Sequence, residues 1–233
     1  MGGLKRIGIV GVSSPGAALC YQTICTEGEK FLGRRYDHPE VMMHAFSFSE
    51  YVARMERGDW EGVANLLAAS AEKLACMGAS FVICPHNTVH IVFDKVAERS
   101  QVPWLHIAKE VAREAKRLGF GKLAILGTEL LMNSEVYPSK LRLYGIDFAV
   151  PETSYRRVID EIIFNELVYG IFKSKSREKL LSIMEKMAQK EYCDAAVLGC
   201  TELPLIINSK NSVIPFLDST RIIARAALKR AKE

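Results

Sequence analysis

The feature that most constrains this chain is an internal repeat. The segment VPWLHIAKEVAREA (102–115) aligns without a gap on IPFLDSTRIIARAA (214–227), so Pro103 meets Pro215, Leu105 meets Leu217, Arg113 meets Arg225 and Ala115 meets Ala227, an offset of 112 residues. In the same register Trp104 meets Phe216 and His106 meets Asp218. With a shift of two, FVICPHNT (81–88) aligns on AAVLGCTE (195–202), which sets His86 opposite Cys200, Asn87 opposite Thr201 and Thr88 opposite Glu202. The first strands of the halves also match, IGIVG (7–11) with LAILG (123–127). A repeat on this scale implies two similar units, each a supersecondary assembly of its own.

The hydrophobic pattern says what those units are. Short apolar runs read as strands at 5–11, 41–47, 79–84, 103–106, 122–127, 146–150, 194–198 and 213–217. Amphipathic helices separate them, from the loop at Ser13-Ser14-Pro15 to about Gly33, from Asp59 to about Met77, to about Ser100, over roughly 107–118, 155–173 and 176–192, and from Ser219 onward. Alternation of strands and helices predicts an α/β fold with mostly parallel sheets. No low-complexity tract or linker divides the halves.

Composition narrows the function. The 233 residues carry 31 basic and 27 acidic side chains, a net charge of +4, without a basic stripe interleaved with aromatics. Nucleic acid is therefore not an expected partner. No stretch has the apolar length that spans a membrane, and Arg6 stands where a myristoylation signal wants Ser or Thr. The six cysteines form no C-x-x-C pair and no zinc spacing. A soluble, cytoplasmic protein with free thiols and no metal is the expectation.

Open α/β sheets place their chemistry at the carboxyl ends of strands. Gly199-Cys200-Thr201-Glu202 follows the apolar run Asp194–Leu198, and Pro85-His86-Asn87-Thr88 follows Ala79–Cys84. If a twofold relation holds between the units, Cys200 and His86 approach a substrate from opposite faces. Two proton carriers so arranged suit inversion at a carbon next to a carboxylate, one removing the α-proton and the other delivering a proton. The thiol needs stabilisation as thiolate, which the Thr201 and Glu202 amides can supply. An imidazole can serve as acid or base at neutral pH. Donors to the substrate carboxylate are expected among Ser13, Ser14, Asn87, Thr88, Thr128 and Thr201, with Glu202 beside them. Cys20, Cys25, Cys76 and Cys193 read as packing or surface residues, and Trp60 and Trp104 as core. His90 is as well suited to tying the loop to backbone as to a site role, and His44, alternating within a strand, reads as core.

With GCTEL, the HNTVH and LGT motifs, RVIDEIIFNEL and PFLDST in place, the chain resembles the aspartate/glutamate racemase family over nearly its whole length. The resemblance implies a cofactor-independent amino-acid racemase that uses no pyridoxal phosphate. It implies two Rossmann-like lobes related by pseudo-twofold symmetry, with the active site in the cleft between them. The last helix would return to the first lobe, giving lobes of 1–105 plus 216–233 and of 106–215, and a homodimer is implied. Cys200 matches the family's second catalytic Cys. The first is His86 here, and Cys84 aligns with Leu198 inside a strand rather than with that position. Val158 stands where substrate-binding members often carry Lys, Leu131 replaces a Thr, and Ser13 a Met. These departures fall at substrate positions, so the resemblance does not carry acidic specificity to this chain. Two alternatives stay open: a one-base decarboxylase or lyase acting on a small carboxylate through Cys200, and a weakened member that only binds a small acid.

Overall fold

The computed structural model describes residues 3–233; Met1 and Gly2, where a lipidation signal was weighed, lie outside the described residues. The chain divides into two compact units, one comprising the residues through Ile107 together with Thr220–Glu233, the other Ala108–Ser219.

The first unit is built on a parallel sheet. Strands β1 (Ile7–Gly11), β2 (Val41–Ala45) and β3 (Phe81–Ile83) lie in the order β2-β1-β3. Every residue of β1 and β3 is buried, as expected of parallel strands covered on both faces. The helix Ser14–Leu32 begins with Pro15 in its first turn and ends on Gly33, whose φ of 77° lets its N–H reach the Glu29 carbonyl at 2.8 Å. Asp59 caps the helix Trp60–Cys76 by accepting from the Gly62 N–H at 2.8 Å. One core cluster joins Val10, Tyr51, Leu67, Val82 and Cys84. Another sets Ile223, Ala224, Ala227 and Leu228 of the last helix, Ser219–Lys232, against Ile7, Ile9 and Ile83.

The second unit repeats the plan. Strands β4 (Lys122–Leu126), β5 (Asp147–Ala149), β6 (Ala195–Leu198) and β7 (Phe216–Asp218) are all parallel, in the order β5-β4-β6-β7. Its core packs Ile159, Ile162 and Ile163 of the helix Thr153–Asn165 and Leu180, Ile183 and Met184 of the helix Ser174–Glu191 against Ala196, Leu198 and Cys200.

The repeat is visible in hydrogen bonds. The Val82 N–H donates to the Pro103 carbonyl at 2.9 Å, and the Ala196 N–H donates to the Pro215 carbonyl at 2.9 Å. Each proline lacks an N–H and can join a ladder only through its carbonyl. In the second unit the pairing continues as β7. In the first it stops at a single parallel bridge from Trp104 to Val82, so no strand forms over 103–106. The helix anticipated to 173 ends earlier, at Asn165. Glu166 breaks it (φ −132°, ψ −63°), a 3-10 turn follows at Leu167–Tyr169, and Gly170 at φ 71° reverses the chain. The Glu166 carboxylate accepts from Ser176 Oγ at 2.6 Å and Lys173 Nζ at 3.1 Å, which ties the break to the next helix. Trp60 and Trp104 are only half-buried, packed at the edge of the core.

Candidate active site

Two glycines bring the ends of β4 and β6 together. The Gly199 N–H donates to the Leu126 carbonyl at 2.7 Å. A Cβ on Gly199 would lie 2.8 Å from that same carbonyl oxygen, and one on Gly127 would lie 3.0 Å from the Gly199 oxygen. Neither position has room for a side chain, so both strand ends turn where the repeat places its motifs.

The next residue is Cys200, 6% exposed. Its Sγ–H donates to Glu202 Oε2 at 2.9 Å, and Thr201 Oγ1 donates to the same oxygen at 2.7 Å. Glu202 is 2% exposed, and its other oxygen is buried without a hydrogen-bond partner among the described residues. Burial pushes the Cys200 thiol well above the ordinary cysteine range, and the Glu202 charge pushes it further, so the thiol keeps its proton at neutral pH. The sequence motif pointed to the Glu202 amide, and in the fold that amide does act on the thiol, lowering it; the Glu202 carboxylate meets the sulfur as well and, with burial, outweighs the amide. The turn itself is anchored by Ser219 Oγ, which donates to the Leu198 carbonyl at 2.8 Å.

The equivalent turn of the first unit carries His86, Asn87 and Thr88, all buried. Its strand-end carbonyl is tied too: His90 Nε2 lies 3.0 Å from the Cys84 oxygen. His90 thus does in this half what Ser219 does in the other, and its ring stacks on Phe93 at 5.5 Å. The Phe48 ring lies 6.0 Å from that of His86. Cys84 is 1% exposed, with its S–H directed at the His86 carbonyl at 4.0 Å, and burial pushes its thiol up to about 12. It is a packing residue of the core rather than a group displayed at the turn.

The remaining candidates sit at other strand ends. Ser13 is buried at the N-cap of the helix after β1, and Ser14 begins that helix exposed. Thr128 is buried after β4, where its Oγ1 accepts from the Leu131 N–H at 3.2 Å. The neighbouring amide, that of Glu129, is taken at 2.7 Å by Asp160 Oδ1. Asp160 falls inside the RVIDEIIFNEL motif, but nothing in that motif marks it as a partner of the turn after β4. Burial raises its carboxyl, and its charge is felt at Cys200. Among the described residues no three His, Cys, Asp or Glu side chains converge as a metal set. No helix among them is long and apolar enough to cross a membrane.

Two parallel α/β units whose strand-end turns carry Cys200 and His86 form a duplicated scaffold. The family model of the Asp/Glu/Hydantoin racemases matches residues 9–227, and the chain belongs to that family. By class it is an isomerase. An aspartate racemase homologue from Pyrococcus horikoshii is 32% identical and superposes with a TM-score of 0.83, over 99% of this chain and 100% of that one. The broad specificity amino-acid racemase RacX of Bacillus subtilis is 23% identical over 194 residues, 82% of each protein. Glutamate racemase of Streptococcus gordonii is 26% identical over 126 residues, and that match spans 46% of its length. The chain thus matches only about half the length of that relative.

Proposed function

We propose that the chain is a cofactor-independent amino-acid racemase in which Cys200 and His86 are the two proton carriers. The observation that carries the reading is the hydrogen bond of the Cys200 thiol to the buried Glu202 carboxylate, at the strand-end turn whose repeat partner bears His86. The thiol is a proton donor as it stands. To act as base it passes its proton to Glu202, and the thiolate then takes the α-proton. The Cα–H bond breaks as the S–H bond forms, and the electron pair is left on Cα. His86 as imidazolium delivers a proton to the opposite face and becomes neutral; the reverse direction runs the same steps backward. Proton exchange with solvent restores both groups. The carbanion is stabilised by donors to the substrate carboxylate, for which Ser13, Asn87, Thr88, Thr128 and Thr201 are proposed. Ser14, exposed, stands at the margin of that set.

Six free cysteines fit a reducing, cytoplasmic setting, and a homodimer is the assembly we propose, measurable by sedimentation. The activity is tested by incubating single enantiomers in D2O and following both configuration and deuterium at Cα. Inversion with one deuterium gained is expected. Deuterium gained with retention, or loss of carbon dioxide, would replace the two-base reading with a one-base enzyme, and inertness towards every amino acid would leave binding alone.

A further inference from the structure

The turn that carries Cys200 rests on a tyrosine that the proton transfers leave unused. Tyr137 stands directly before the helix Pro138–Leu143, and its carbonyl accepts from the Lys140 and Leu141 N–H groups at 3.0 and 2.9 Å. Upstream, Ser134 Oγ donates to the Leu131 carbonyl at 2.7 Å and accepts from the Val136 N–H at 3.3 Å. These local bonds fix the backbone on both sides of Tyr137. Its side chain is one of the largest that the fold buries completely.

Ring and hydroxyl meet the same turn at two points. The ring edge, Cε2, lies 3.6 Å from the place a Cβ would take on Gly199, the residue before Cys200. The hydroxyl hydrogen-bonds with Ser219. Ser219 Oγ gives its own proton to the Leu198 carbonyl at 2.8 Å, so its lone pairs are left for Tyr137 and the phenol is the donor. The chain therefore runs from Tyr137 O–H to Ser219 O–H to the carbonyl of Leu198, the last residue of β6. Each bond in such a chain polarises and strengthens the next. Burial raises the phenol, which stays a neutral donor and moves no proton to or from a substrate. Packing alone would be served by phenylalanine. A buried hydroxyl is costly unless it is bonded, and this one is bonded to the residue that anchors the turn.

We infer that Tyr137 is a positioning residue for Cys200, acting through Ser219 to hold the Leu198–Gly199 backbone and with it the direction of the thiol towards Glu202. The ring sets where Gly199 lies. The hydroxyl holds Ser219 in the rotamer that reaches the Leu198 carbonyl. Small displacements of a reacting group cost rate steeply. The inference rests on the racemase reading only for its effect on turnover; the direction of the thiol is a property of the second unit by itself.

Tyr137→Phe keeps the ring and removes the hydroxyl. It is combined with Ser219→Ala in a double-mutant cycle, and Ile183→Val, a change elsewhere in the same core, is the control for lost stability. Two quantities are read: the rate at which iodoacetamide alkylates Cys200, resolved by peptide mass spectrometry, and the uptake of deuterium at Cα of single amino-acid enantiomers in D2O. Tyr137→Phe should alkylate at least about fivefold faster than wild type, as the thiol is released from the Glu202 charge, while Ile183→Val stays within about twofold of wild type. The double variant should be no faster than Ser219→Ala alone, because the tyrosine then has nothing to act through. In turnover, Tyr137→Phe should lose at least about tenfold in kcat with KM held within about twofold. Additive effects of the two substitutions, an unchanged alkylation rate in Tyr137→Phe, or an equal rise in Ile183→Val would each overturn the inference. If Ser219→Ala does not fold, the comparison of Tyr137→Phe with Ile183→Val decides alone. The expected alkylation cycle without deuterium uptake from any amino acid would strike the racemase reading and leave this one standing. Uptake by wild type with kcat unchanged in Tyr137→Phe would do the reverse.

Discussion

Replacing Glu202 by Gln separates two effects that the Cys200–Glu202 contact combines. The side chains are almost the same size, so packing is kept while a negative charge 2.9 Å from the sulfur is removed. Two unit charges at that separation repel by about 1.4 kcal/mol at the dielectric of water, and by about 6 kcal/mol at an effective dielectric of 20. Cys200 and Glu202 are 6% and 2% exposed, so the true value lies above the smaller figure. Even 1.4 kcal/mol is a factor of about ten in the thiolate population. Alkylation of Cys200 by iodoacetamide at pH 7.5, followed by peptide mass spectrometry to distinguish it from the other five cysteines, should therefore run at least about tenfold faster in Glu202→Gln. Turnover should move the other way. With Glu202 gone, the thiol loses the acceptor for its proton, and loss of a general base slows a reaction by about 10²–10⁴-fold. A thiol that becomes more reactive while the enzyme becomes slower is the signature of a proton relay. Slower alkylation, or unchanged turnover, would refute the assignment.

Other outcomes follow from the same geometry. Gly199→Ala forces a Cβ to 2.8 Å from the Leu126 oxygen; overpacking of this kind costs about 1–3 kcal/mol, read as a fall in melting temperature of several degrees, and an unchanged melting point would show that the strand ends can part. Glu27 accepts both guanidinium hydrogen bonds from Arg225, at 2.7 and 2.8 Å, and that contact lowers its carboxyl. A lowered folded value gives stability that is present above the ordinary glutamate range and lost as pH falls through the folded value, so Glu27→Gln should melt below wild type at pH 7 by about 0.5–1 kcal/mol, with the two curves converging in acid. His86→Cys should raise turnover if His86 holds the place of a second thiol, and a variant with no change would mean that the repeat alignment misplaces it.

Much of this was legible in the sequence, for identifiable reasons. The parallel strands β1, β3 and β6 are uninterrupted apolar runs, β4 is one after Lys122, and the repeat marks their carboxyl ends. Pro103 and Pro215 sit at matching positions and make matching hydrogen bonds, yet only Phe216–Asp218 extends into a strand. The alignment alone could not separate the two. The break at Glu166 was hidden because its cause is tertiary, a carboxylate held by Ser176 and Lys173. Asp160 was hidden for the same reason. It lies inside an ordinary amphipathic helix, and only the fold brings its side chain to the Glu129 amide. Glu202 was visible as part of a motif, but the direction of its side chain, towards the sulfur, is a matter of rotamer and burial that spacing does not encode.

The central claim is that Cys200 and His86 serve opposite faces of one carbon. It is tested most directly by α-proton washout from each enantiomer separately, in D2O, with Cys200→Ala and His86→Ala. The account predicts that neither variant inverts its substrate. Each should still exchange the α-proton of a single enantiomer, and the two variants should retain opposite ones. Retention of the same enantiomer by both, or full racemisation by either, would contradict it.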